Sequence, residues 1–206
     1  MAFFRILRSI PLFLFFLLLI NPGISRADAV SDLIDLPASK WREDNPIVSR
    51  MQKHSGSKPL RITVHYTDVP KNFDRPLIQK LRTLFDYAIH TIEGTKKKLW
   101  GDIPYHYFID ANGLLGEARY PAYMPDSNTS YDRDGHITIV IEGDIHDGIT
   151  APQKRKMMSL IRALQKKYRI PIGRVGVHKN FAETDCPGPA ISKAILDFRH
   201  SEENAK

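Results

Sequence analysis

The chain contains one cysteine, Cys186, among 206 residues. One thiol cannot close an intramolecular disulfide, so the disulfide-stapled class of small secreted folds is excluded, and metal ligation or burial is left for it. No cysteine lies near the end of the first apolar segment, which excludes a lipoprotein anchor. No helical His-Glu-x-x-His is present, which argues against the commonest zinc peptidases. Internal repeats and low-complexity tracts are also missing, so neither a solenoid nor a linker protein is described.

What is present begins with a targeting pattern. Arg5 and Arg8 precede an almost unbroken Leu/Phe/Ile run from Ile10 to Ile20, followed by Pro22-Gly23 and then Ser25-Arg26-Ala27. This reads as a secretory signal peptide over 1–27, cleaved after Ala27, with Ala29 as a second small-residue site. The apolar run is shorter than the about 20 residues of a spanning helix. Its removal takes away three arginines and lowers the formal net charge from +7 to +4. A modestly basic exported protein with no membrane contact after cleavage suits an anionic partner such as a cell-wall polymer. No nucleic-acid motif is found. At 42% hydrophobic the mature chain can bury one core. Residues 28–58 read as an N-terminal extension wrapped on a domain of 59–206, with short helical turns at Val30–Leu36 and Ile47–Lys53 and a solvated His54.

The periodicities predict a mixed α/β sheet flanked by helices. Leu60 to His65 alternates as a strand, with Ile62 and Val64 on one face and Thr63 and His65 on the other. Asp74 caps a helix running to about Thr91, with the stripe Leu77, Leu81, Leu84, Ala88 and Ile92; Gly94 and Lys96-Lys97-Lys98 end it. Tyr105 to Ile109 and Leu114 to Ala118 form a hairpin around Asn112-Gly113, with Tyr105, Tyr107 and Ile109 on one face. Pro121 to Gly135 is a polar loop suited to a cleft wall. Ile137 to Ile141 is a strand ending at Glu142. Thr150 caps a helix to Tyr168, Val175 to Val177 is a strand, and a last helix covers Pro189 to Phe198.

Chemistry concentrates at the strand ends. His178 closes the strand at Val177, and Cys186 follows eight residues later in a polar turn, Asp185-Cys186-Pro187-Gly188. An imidazole and a thiolate from neighbouring loops are suited to zinc, and His65 at the end of another strand supplies a third ligand. Three protein ligands with one open position describe a catalytic site. On spacing alone Tyr105 is balanced between core and catalysis.

These residues also carry a resemblance. Ile62-Thr63-Val64-His65-Tyr66-Thr67, Trp100-Gly101-Asp102-Ile103-Pro104-Tyr105-His106, Asp110-Ala111-Asn112-Gly113, Glu117-Ala118-Arg119 and His178-x7-Cys186-Pro187-Gly188 occur in the order of type 2 N-acetylmuramoyl-L-alanine amidases, which are similar to phage amidase lysins and peptidoglycan recognition proteins. The resemblance spans about Leu60 to Phe198. It implies the peptidoglycan-recognition/amidase-like fold, zinc on His65, His178 and Cys186, and hydrolysis of the amide between N-acetylmuramic acid and L-alanine in peptidoglycan or muramyl peptides. Tyr105 falls at the tyrosine that assists the attacking water or the oxyanion. Thr184 falls where members carry lysine or threonine.

Three positions depart from the pattern. Tyr66 replaces a second histidine that is not a ligand, Pro104 replaces a glycine, and Val140 lies where another branch has a catalytic glutamate. Glu142, on the same face two residues later, could substitute, although a strand-end carboxylate is more often merely exposed. Two other readings compete with the amidase: a peptidoglycan-binding module without catalysis, and a different secreted zinc peptidase acting on stem peptides.

Overall fold

The computed structural model describes residues 29–90 and 99–204. The proposed signal segment, Ile92, Gly94 and the lysine triplet at 96–98 therefore lie outside the described residues. Five strands form one mixed sheet in the order β3-β2-β4-β1-β5. They are β1 (Arg61–Tyr66), β2 (Tyr107–Ile109), β3 (Leu115–Glu117), β4 (His136–Ile141) and β5 (Val175–Val177). The central strand β1 runs parallel to both β4 and β5, and β2 is parallel to β4. Among the described strands only the hairpin pair β2–β3 is antiparallel. Its turn places Gly113 at φ +84°, where a β-carbon would also stand 2.7 Å from the Pro152 backbone, so the position requires glycine.

Two cores lie on the two sheet faces, because successive strand residues point to opposite sides. Ile62, Val64, Ile139 and Ile141 join Met157, Ile161 and Leu164 of α4 (Ala151–Tyr168) and Ile191 and Ile195 of α5 (Gly188–Asn204). Val140 and Phe108 turn the other way and pack with Leu81, Phe85 and Ala88 of α3 (Leu77–Ile89). The start of α4 follows from its sequence: Thr150 accepts the Gln153 backbone N–H while the Gln153 side chain accepts the Thr150 N–H.

The structure corrects several expectations. Asp74 does not cap α3; Pro76 precedes its first turn, and Asn72 Oδ1 accepts the N–H groups of Asp74 and Arg75 instead. The helix also ends earlier than predicted, at Ile89. Strand β2 begins only at Tyr107, although the His106 N–H still donates to the Thr138 carbonyl and the Tyr105 carbonyl accepts the Arg119 N–H. Tyr105 thereby leaves the alternation and turns to the α3 side, opposite Tyr107 and Ile109. The last helix extends to Asn204.

The segment before β1 is part of the packing. It contains α1 (Val30–Leu33), α2 (Ala38–Trp41) and a single 3-10 turn at Val48–Arg50. Leu36 bridges Gly116: its N–H donates to the Leu115 carbonyl and its carbonyl accepts the Glu117 N–H, which covers the outer edge of β3. Trp41 is fully buried, and its indole N–H donates to the Glu117 carbonyl at 2.7 Å. Arg42 stacks over that indole and pairs with Asp102 at 2.8 Å. The His54 side chain is 3% exposed rather than solvated, 3.2 Å from the Asp134 carboxylate.

Candidate metal centre

Parallel strands open a crevice at their carboxyl ends. His65 lies near the end of β1, and His178 follows directly on the neighbouring β5. Cys186 arrives from the turn that opens α5, where Lys179 N–H donates to the Cys186 carbonyl and Thr184 Oγ1 accepts the Cys186 N–H. The ligand atoms of His65, His178 and Cys186 all lie within 4.8 Å of one another. The His65 and His178 ring centroids are 4.4 Å apart, and Cys186 Sγ is 3.8 Å from His65 Nδ1.

The electrostatics fit a cation at this point. His65 Nε2 and His178 Nδ1 are buried without a hydrogen-bond partner, a costly condition for imidazole nitrogens. Burial, reinforced at His65 by the other histidines, lowers both imidazoles below the ordinary histidine range, so each is a neutral donor at pH 7. Burial pushes the Cys186 thiol up to about 12, against the opposing effect of the Tyr66 N–H that points at Sγ from 3.4 Å. Such a thiol is not a nucleophile at neutral pH. A divalent cation is what would draw it into the thiolate form. Two imidazoles and one thiol are a zinc-type donor set.

A groove of about 680 Å³ is lined by the cluster itself, by Tyr105 and Thr184, and by Asp126 to Thr129 of the polar loop. The Tyr105 ring is 5.2 Å from that of His65, and burial raises its hydroxyl pKa, so it is a neutral donor. All five sequence-predicted site residues therefore share one groove. Glu142 also borders it, yet it is 6% exposed and engaged. Its Oε2 is 2.7 Å from Lys80 Nζ and accepts the Ala111 N–H, and its Oε1 accepts the Asn72 N–H. The expectation of an exposed strand-end carboxylate is thus overturned. Val140 is in the core, buried against the α3 side.

Sequence reasoning missed the loop residues around His178. Thr129 Oγ1 is 2.7 Å from His178 Nε2, and the Tyr131 ring packs 5.3 Å from the same imidazole. Nothing in the loop's polar composition distinguishes these two from their neighbours; only the fold of the loop brings them to the histidine.

The sheet order and groove define a known class of fold. Drosophila PGRP-LB superposes with a TM-score of 0.66 and 21% identity, covering 80% of this chain and 94% of that one. The amidase LysC from Clostridium intestinale URNW gives 0.52 and 22%, covering 72% and 87%. The ectodomain complex of PGRP-LCa and PGRP-LCx bound to tracheal cytotoxin gives 0.63 and 16%, covering 78% and 93%. No curated protein matches the chain. The family model described as N-acetylmuramoyl-L-alanine amidase matches residues 55–189, and the chain belongs to that family.

Proposed function

We propose that the chain is a zinc-dependent amidase that hydrolyses the bond between N-acetylmuramic acid and L-alanine in peptidoglycan or muramyl peptides. The observation that carries this reading is the convergence of His65, His178 and Cys186, with two imidazole nitrogens left partnerless, in a member of the amidase family. Zinc held there supplies Lewis-acid polarisation of the scissile carbonyl and activation of water at neutral pH. Tyr105, protonated and beside His65, donates to the oxygen on which charge develops. Thr184 uses its hydroxyl oxygen to hold the Cys186 N–H, and its proton remains for the substrate side of the groove. The groove takes the stem peptide and the adjoining muramyl group. Residues 1–27 act as an export signal, which places the enzyme outside the cytoplasm, where its substrate is. The described residues before β1 fold as one unit with those from β1 onward. Among the described residues no helix is long and apolar enough to cross a membrane.

One observation favours a second reading: a neighbour of the same fold is known as a complex with tracheal cytotoxin, so binding without cleavage is its alternative. Digestion of purified sacculi by the zinc-loaded protein, followed by mass spectrometry, separates the readings. Release of stem peptides with a free L-alanine amino terminus supports the amidase. Cross-bridge fragments would mean a peptidase, and retention of the protein on intact sacculi a binding module. Elemental analysis should give one zinc per chain, falling well below one in Cys186→Ala and His65→Ala.

A further inference from the structure

His178 offers two nitrogens, and only the one without a proton can hold a metal. The structure separates their surroundings: Nδ1 is buried with no partner, whereas Nε2 meets Thr129 Oγ1 at 2.7 Å. A threonine hydroxyl alone does not choose between tautomers, because it can donate to a bare nitrogen or accept from a protonated one. The choice comes from the other nitrogen, since a proton on Nδ1 would be buried with no acceptor, whereas one on Nε2 has Thr129 Oγ1 to receive it; the next hydroxyl is compatible with that sense. Ser127 Oγ lies 2.9 Å from Thr129 Oγ1 and already accepts the Thr129 backbone N–H at 3.2 Å. Its second lone pair is open to the Thr129 hydroxyl proton, an arrangement in which Thr129 Oγ1 accepts from the imidazole.

We infer that Thr129, backed by Ser127, is a positioning residue that fixes His178 as the Nε2–H tautomer and presents its Nδ1 lone pair to the metal. The inference rests on the zinc reading above. In the reverse sense the proton would sit on Nδ1, buried and without an acceptor, and the histidine would be lost as a ligand there. The loop that brings the two hydroxyls is itself held firmly. Asp126 binds Arg119 at 2.6 Å and Arg133 at 2.7 Å. Arg119 is 1% exposed and donates to the carbonyls of Asp102, Ile103 and Met124. Tyr131, two residues beyond Thr129, packs its ring against His178. An outer-shell partner of this kind typically controls metal affinity by about 10- to 100-fold.

The test compares zinc affinity, by competition with a chromophoric chelator, in the wild type, Thr129→Val and Thr129→Ser. Thr129→Val keeps the shape and removes the acceptor, and is expected to bind zinc about 10- to 100-fold more weakly. Thr129→Ser, which restores the hydroxyl, should stay close to wild type. Thermal unfolding of the metal-free proteins verifies that all three are folded. Should Thr129→Val not fold, Ser127→Ala takes its place, with a smaller loss expected. Nitrogen-15 NMR of the zinc-loaded wild type should show His178 protonated at Nε2. Wild-type affinity in Thr129→Val (or in Ser127→Ala where that variant stands in for it), an equal loss in Thr129→Ser, or a proton on Nδ1 would each overturn the inference. A folded wild type that binds no zinc would instead bring down the metal reading and this inference with it.

Discussion

Glu142→Gln separates scaffold from chemistry at the edge of the groove. The substitution keeps the shape and removes one charge from a buried cluster in which Lys80 Nζ lies 2.7 Å from Glu142 and 3.6 Å from Asp110. It also disturbs the acceptor of the Ala111 N–H at 2.7 Å. Breaking a buried ion pair on one side costs roughly 3–5 kcal/mol. The lower end applies because Asp110 remains beside Lys80, so about 3 kcal/mol is expected. With a urea slope of roughly 2 kcal/mol per molar, the unfolding midpoint should fall by about 1.5 M. Turnover of a muramyl peptide, measured at low temperature and normalised to folded protein, should stay within about threefold of wild type, less than 1 kcal/mol in the barrier. An unchanged urea midpoint would refute the structural assignment. So would a hundredfold loss of turnover in a protein as stable as wild type, which would make Glu142 catalytic.

Three further outcomes are expected. Tyr105→Phe should lower kcat by about 100-fold, corresponding to about 3 kcal/mol for one oxyanion donor, with little change in KM; Thr184→Val should cost on the order of tenfold, and unchanged turnover in Tyr105→Phe would return that ring to the core. Trp41→Ala should destabilise by about 3–5 kcal/mol, read by urea unfolding, although it lies outside the stretch matched to the family; a loss below about 1 kcal/mol would mean that the segment before β1 merely lies on the domain. Burial, the foremost cause, lowers the pKa of His106 to about 3 and of His136 to about 4. The unfolded chain therefore binds the extra protons first: this contribution is intact above pH 6.5 and is lost as pH falls through the folded values. Urea unfolding of the metal-free protein between pH 6.5 and 4.5 should become shallower in pH for His136→Gln by up to about 1.4 kcal/mol per unit, and an identical slope would contradict the assignment.

Elements governed by local rules were legible in the chain itself. The β-branched run before Glu142, the Thr150 cap and the Asn112-Gly113 turn each depend on neighbours within a few residues, and each stands where the pattern puts it. His65, His178 and Cys186 were also legible, because a histidine at a strand end and a lone cysteine in a polar turn are unusual enough to mark themselves. Their meeting is a property of the sheet, since β5 pairs beside β1 across more than a hundred intervening residues.

Other features depended on distant partners from the start. Glu142 reads as exposed in sequence because its Lys80 partner lies on a helix 62 residues earlier. Tyr105 changed faces because the strand began two residues later than its alternation suggests. Trp41 and Leu36 belong to the core and the hairpin edge only because the chain folds back over β3. Thr129 gained a role because a loop pinned through Asp126 carries its hydroxyl to His178. Sequence periodicity records which face of an element is apolar, and so it determined the sheet, the helices and the strand ends where the candidate metal-ligating residues stand. Hydrogen bonds and ion pairs between remote elements leave no periodic trace, so only tertiary structure decided which polar residues hold the site and which are free to act in it.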